Sequence, residues 1–259
     1  VAAPQNRAVY VYGVLASGAE LEPSGGGIEG AERMRLLRAP GAAAIVADVP
    51  DGPVQTTRAN LQGHSDVLAN AAQRATVLPM RFGVAFPSEE HVGKELLEER
   101  GPALEALLAE YDGKVEVTLR GWFEDPDAVL REVVASDPEI GRLHDETRNL
   151  PEDATYYARI RLGELVANAV EARRAAEERR IMERLEPLAR AVSAERELPE
   201  RVVLNVAFLV ERDRLPDFDR AVEKIAQELG GVIRFSYAGP LALHSFASVV
   251  PRQEAAWVS

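Results

Sequence analysis

An α+β architecture in two successive domains is what this sequence predicts. Continuous apolar or strictly alternating strand-like runs sit near both ends of the chain, and amphipathic helical runs lie between them. The texture changes near Asp112, where a new strand and helix pattern begins, so the expected domains are 1–111 and 112–259. A β-α-β unit after Val202, added to the strand and helix of Lys114–Ala135, has the element order of a ferredoxin-like domain. Long helices, at about 138–198, are inserted between its halves.

In chain order, AVYVYGVL (Ala8–Leu15) is apolar on both faces and predicts a central strand. LEPSGGGIEG (Leu21–Gly30) carries glycines and a proline and predicts a mobile loop, and GAAAIVADV (Gly41–Val49) predicts a second strand. HSDVLANAAQRA (His64–Ala75) has helical spacing and leads into ATVLPMRFGVAF (Ala75–Phe86), expected to be a third strand. Ser88 is placed to cap a helix burying Val92, Leu96 and Leu97, with a restart at Gly101 and Pro102. After the Asp112-Gly113 turn, Val115, Val117 and Leu119 alternate with Lys114, Glu116, Thr118 and Arg120, which predicts a strand with one wet face. Asp125 and Pro126 read as N-cap and first residue of a helix. From Thr155 a long helix is expected, with Tyr156, Ile160, Val166, Val170, Ile181 and Leu185 as its apolar stripe and a charged middle at Glu171–Arg180 that reads as a solvated helix or the arm of a helical hairpin. Pro187 should end it. Val202–Arg212 is a buried strand, Leu215–Leu229 an amphipathic helix, and VIRFSYAG the returning strand.

Composition narrows the function. The net charge of −12 disfavours nucleic acid and anionic membrane surfaces. The absence of cysteine removes disulfides, thiolate catalysis and thiolate-bound zinc, and fits a reducing cytoplasm. The start, VAAPQNRAVYVYG, lacks the charged and apolar regions of a secretory leader, and no apolar run approaches the roughly 20 residues of a membrane helix. Cytoplasmic localisation is the expectation. Lysine occurs only at Lys94, Lys114 and Lys224, so arginine serves as the general surface cation.

Catalytic and metal signals are sparse. His64, His91, His144 and His244 are scattered, with no HxxxH or HExxH pair. SGGGIEG is followed by neither the Lys-Ser of a phosphate loop nor the pattern of a dinucleotide site. His244 and Ser245 adjoin, yet strand neighbours point to opposite faces, which works against a dyad. Asp125 and Asp127 are better read as capping residues, and His144, Asp145 and Glu146 as a solvated helix face. No catalytic residue, cofactor or metal ligand is expected.

Five blocks, AVYVYGVL, VLPMRFGVAF, ATYYARIRLGELV, NVAFLVERDRLPDFDRAVEKIA and FSYAGPLALHSF, occur in order along nearly the whole chain. Together they resemble the gas vesicle protein GvpL/GvpF family. The glycine-proline near the end departs from the family, where an aromatic-rich segment often follows; here Gly239, Pro240, Ser245 and Phe246 keep the frame. The resemblance implies a non-enzymatic accessory protein of gas vesicle formation, with an N-terminal α+β domain and a modified ferredoxin-like C-terminal domain. It further implies binding to the hydrophobic shell protein GvpA, and to other vesicle accessory proteins, at the gas vesicle. The competing reading is a small-ligand-binding or enzymatic ferredoxin-like α+β protein, favoured by a deep pocket with converging titratable groups. A third is a scaffold docking through the helix from Thr155 to Glu186.

Partner contacts are expected at Pro79, Arg81, Gly83, Gly239, Pro240 and Phe246. In VLPMRFGVAF, Pro79 cannot donate to a ladder and belongs at a sheet edge or bulge. Alternation puts Leu78, Met80, Phe82 and Val84 toward the core, with Pro79, Arg81 and Gly83 on the other face. Arg81 either pairs with a nearby carboxylate or snorkels to solvent, or it meets a partner.

Overall fold

The run of valines and tyrosines at the start of the chain becomes β1 (Arg7–Ala16), buried at every position but its two ends. The computed structural model describes residues 7–148, 150, 152–199 and 201–247. These form two compact units. The first holds the described parts of Val1–Val117, Ala207–Arg214 and Ala238–Ser259, and the second Thr118–Val206 and Leu215–Tyr237.

In the first unit β1 is central in a five-stranded antiparallel sheet of order β2-β3-β1-β4, formed with β2 (Glu32–Arg38), β3 (Ala42–Pro50), β4 (Leu78–Pro79) and β5 (Ala85–Phe86), which also pairs β1. The β1/β3 register sets Tyr10 against Ala47 and Val14 against Ala44, large against small. β2 escapes the sequence reading because it is a half-exposed edge strand, four of whose seven residues are charged.

Helix α1 (Arg58–Ala72) starts a turn and a half before its apolar spacing announces it, because Thr57 accepts the Asn60 N–H. α1 covers one face of the sheet with Val67, Leu68, Ala71 and Ala72. The glycine loop expected to be mobile is tied to this helix and to β1. Ile28 N–H donates to the Tyr12 hydroxyl (3.1 Å), Glu29 N–H to Asn60 Oδ1 (2.8 Å), and Asn70 Nδ2 to the Ser24 carbonyl (3.3 Å). Ser88 caps a short α2 (Glu89–His91), which runs on as a π-helix over Val92–Glu98 before α3 (Gly101–Glu110).

Inside this core Tyr10, Tyr12, His64 and Phe82 form an aromatic cluster, with Tyr12 and His64 stacked at 5.5 Å. His64 bonds the Met80 carbonyl through one ring nitrogen, leaving Nδ1 to accept from the Tyr10 hydroxyl at 2.8 Å. The Tyr10 oxygen in turn accepts the Gly83 N–H at 3.1 Å. Burial pushes the imidazole down to about 4, so the ring is neutral as this chain of bonds requires.

The stretch Ala75–Phe86, expected as a third strand, is not one strand. Only Leu78–Pro79 and Ala85–Phe86 pair with β1, and the chain between them turns, with Val84 N–H returning to the Arg81 carbonyl (3.4 Å). Gly83 holds φ +90°, a conformation a β-strand does not contain.

The four-stranded sheet has order β7-β8-β6-β9, from β6 (Lys114–Phe123), β7 (Ala191–Ala194), β8 (Val202–Glu211) and β9 (Ile233–Leu241). Phe123 N–H bonds the Arg201 carbonyl, while Arg212 N–H bonds that of Gly113, so β6 and β8 run antiparallel. In the second unit α4 (Pro126–Ser136), α5 (Pro138–Arg148) and α6 (Glu152–Leu185) pack on one another, and α7 (Leu215–Leu229) packs on α6. Asp125 caps α4 through the Ala128 N–H (3.0 Å), and α6 stops two residues before Pro187.

Two outcomes follow for the first unit. A Cβ at Gly63 would lie 1.9 Å from the Gly27 carbonyl oxygen. Gly63→Ala gains about 1 kcal/mol of helix propensity, but the backbone clash outweighs it, and denaturant unfolding will show a net loss of about 1–3 kcal/mol. His64 has a folded pKa below its unfolded value, so its contribution is complete above about pH 6.5 and is lost as pH falls toward about 4. Between pH 7 and pH 4 the parent protein will therefore lose about 3 kcal/mol more stability than His64→Gln. Glu116, held above the usual carboxylate range by burial, works in the opposite sense but cancels in that difference.

Candidate partner-binding surfaces

The turn from Met80 to Val84 is fixed along its length. Met80 N–H bonds the Tyr12 carbonyl (2.9 Å), Val11 N–H bonds the Val84 carbonyl (3.0 Å), and the His64-Tyr10 relay holds Met80 and Gly83. Pro79 is opposite Gly13 on the edge strand, where its missing N–H breaks no ladder. It is buried with Leu78 and Met80 and does not share an outer face with Arg81, because the strand alternation ends at the turn. Arg81 is exposed, and a Cβ on Gly83 would meet nothing within 4 Å. Of these three residues, Arg81 alone offers a side chain to a partner.

Gly239, Pro240 and Phe246 lie in the same unit. A Cβ on Gly239 would come within 2.5 Å of Val117 Cγ1, so this position requires glycine for close strand approach. The Gly239-Pro240 peptide is cis, and Pro240 is half-buried in β9. Phe246 is half-buried, and its carbonyl accepts the Tyr111 hydroxyl at 3.1 Å. The two groups are joined two residues before Pro79, where Leu243 N–H bonds the Val77 carbonyl (3.1 Å).

Glu116 corrects the expected wet face of β6. It is 3% exposed, and its two oxygens accept Ser245 N–H (2.7 Å) and Oγ–H (3.0 Å). Burial outweighs these bonds and pushes the carboxyl up. Alternation on one strand could not reveal this, because the partner arrives from 129 residues away.

In the second unit α6 keeps the later part of the expected stripe, with Ile181 and Leu185 fully buried, and departs from the expectation in its middle and at its start. Its charged middle packs: Glu177 is 5% exposed beside Arg173 (2.8 Å), and Arg174 bonds Glu171 (2.5 Å) and the Val203 carbonyl (3.2 Å). Arg184 bonds Glu228 at 2.7 Å. The expected apolar stripe is exposed at its start, with Tyr156 61% and Ile160 45% accessible; Tyr157 beside it is 83% accessible and Leu150, just before the helix, 52%. The two tyrosine rings contact edge to face at 5.3 Å. The inward register runs instead through Thr155, Ala158, Leu162, Leu165 and Ala169. That spacing was available in the sequence, but the bulk of the tyrosines masked it.

Chemistry-bearing residues remain dispersed. His91 pairs with its own cap Ser88 (2.8 Å), and His144 faces Asp145 on an exposed helix. Ser245 is held by Glu116 and not by a histidine. Among the described residues no group of three or more His, Asp or Glu could hold a metal ion, and no helix is long and apolar enough to cross a membrane.

The chain resembles known proteins along nearly its whole length. A family model described as "Gas vesicle synthesis protein GvpL/GvpF" matches residues 8–248. Gas vesicle protein F of a Streptomyces species is 36% identical over 92% of this chain and 98% of its own. That of Haloferax mediterranei is 27% identical over 93% of each. The crystal structure of GvpF from an Anabaena species superposes with a TM-score of 0.79 at 23% identity, covering 94% of this chain and 99% of that one. GvpF from Microcystis aeruginosa gives a TM-score of 0.73 at 24% identity, over 93% and 99%. With two antiparallel sheets in the arrangement of those folds and sequence similarity end to end, the chain belongs to the GvpL/GvpF family of gas vesicle synthesis proteins.

Proposed function

We propose that this protein is a non-enzymatic accessory factor of gas vesicle formation that binds the hydrophobic shell protein GvpA and assists its assembly, in the cytoplasm and at the vesicle. The observation that carries the reading is the exposed tyrosine pair Tyr156 and Tyr157 on the second unit, with Leu150 and Ile160 also exposed near it in sequence. A shell subunit exposes apolar surface before it polymerises, and such surface aggregates unless another protein covers it. Tyrosine suits that contact, since it offers broad apolar area at low side-chain entropy with a polar tip. Arg81, on its fixed turn in the first unit, is a separate exposed cation able to meet a carboxylate of a partner.

The succession β6-α4-β7-β8-α7-β9, with β6 between β8 and β9, supports a ferredoxin-like domain over 112–259. In this reading α5 and α6 are the insertion, and residues 1–111 are the N-terminal α+β domain. The buried Glu177, paired with Arg173, and the bond of Arg174 to the Val203 carbonyl argue against the whole helix as a docking arm and concentrate the contact at its start.

Co-expression with tagged GvpA tests the proposal. The protein will co-purify with the shell protein at low salt, and Tyr156→Asp with Tyr157→Asp will reduce recovery about tenfold, while unfolding free energy changes by only about 0.5 kcal/mol because both sites are exposed. Arg81→Glu will weaken recovery less. Absence of the parent protein from the eluate refutes GvpA binding, and full recovery of the double variant refutes the α6 site. Deleting the gene in its host will leave cells without gas vesicles by electron microscopy.

A further inference from the structure

We infer that the segment Ala242–Ala247 is a detachable clasp beside the edge of the five-stranded sheet, latched by Glu116 and able to open while the rest of the first unit stays folded. β4 is the outer strand of that sheet, and the residue before it, Val77, gives its carbonyl to Leu243 N–H at 3.1 Å. Beyond this bond the segment is held by side chains: Ser245 by Glu116, through N–H and Oγ–H, and the Phe246 carbonyl by the Tyr111 hydroxyl. Ala247 N–H turns back on Leu243, so the segment closes on itself and extends no ladder.

Its apolar seat is small. Ala242, Leu243 and Ala247 are buried, while His244 and Ser245 are exposed. Opening therefore uncovers one leucine, two methyl groups and the covered part of the Phe246 ring, less than unfolding a core strand, and such elements open at the low end of a protein's local stabilities. Glu116 favours the same outcome. Its carboxylate is removed from water and, among the described residues, meets the neutral donors of Ser245, and burial still raises its pKa, so release returns a partly compensated charge to solvent.

An open clasp leaves two acceptors, the Val77 carbonyl and the Glu116 carboxylate, beside the Tyr111 hydroxyl and a leucine-sized seat. The occupant that fits is an extended partner segment repeating the resident pattern, Ala-Leu followed two residues later by a hydroxyl donor. That occupant rests on the shell-binding reading above; the clasp itself does not.

Because the chain has no cysteine, Leu243→Cys creates a single thiol whose labelling by a small reagent reports local opening. Leu68→Cys, on α1 in the same unit's core, reports opening of the whole unit. In the isolated protein Leu243→Cys will label about tenfold faster than Leu68→Cys, and adding Ser245→Ala will accelerate only the former. Equal rates at the two sites, or a Leu243→Cys rate that Ser245→Ala leaves unchanged, overturn the clasp. Amide exchange on the unsubstituted chain gives a reading free of any cavity. Leu243 and Ala247 will exchange about tenfold faster than Val11 and Met80, and exchange in step with those strand amides overturns the proposal. Neither measurement involves GvpA, so failure of the clasp leaves shell binding standing, and failure of shell binding leaves the clasp.

Discussion

The hydroxyl of Tyr10 is the point from which the first unit is organised. It sits on the central strand, gives its proton to His64 on α1 and accepts one from Gly83 in the turn. Helix, sheet and turn are thereby joined by one buried relay in which every polar atom has a partner. In a medium of low dielectric such a network is strongly specific when complete and heavily destabilising when broken. His64 must be neutral for Nδ1 to accept, and burial of the ring secures that state. The relay also explains why a turn with an exposed arginine can follow a buried strand segment: the backbone of the turn bonds inward while its side chain points away.

The second unit shows a different balance. A helix rich in arginine and glutamate would ordinarily be read as solvated, yet α6 turns several of these side chains inward. Pairing is what permits this. Arg173 neutralises Glu177, and Arg174 serves both Glu171 and a strand carbonyl, so the charges are not left uncompensated. Their long aliphatic stems cover apolar surface as a leucine would. With the middle of the helix committed to packing, the aromatic residues at its start are left exposed.

Glu116 and Ser245 link fold to behaviour more loosely. One buried carboxylate takes both donors of a serine, holding a segment that no ladder secures. The Arg212 guanidinium makes a comparable link by bonding the carbonyls of Ala72, Gln73 and Ala75, the exposed end of α1. Both are side-chain ties between residues more than 120 positions apart.

The sequence by itself determined the α+β class, the central strand of valines and tyrosines, the caps at Ser88 and Asp125, the end of the long helix before Pro187, and the family. Each depends on local pattern: apolar periodicity, a side chain able to cap its own helix, a ring without an N–H, or blocks in order. Tertiary structure alone decided that VLPMRFGVAF breaks into two short strands, that Pro79 is buried, that Glu116 leaves its wet face, that the glycine loop is tied down, and which face of α6 is open. Pattern on one element shows which residues can be buried; which of them are depends on the neighbour that arrives. Gly83 turns because Tyr10 and His64 hold it, and Tyr156 and Tyr157 stay outside because Thr155, Ala158 and Leu162 have taken the inward face.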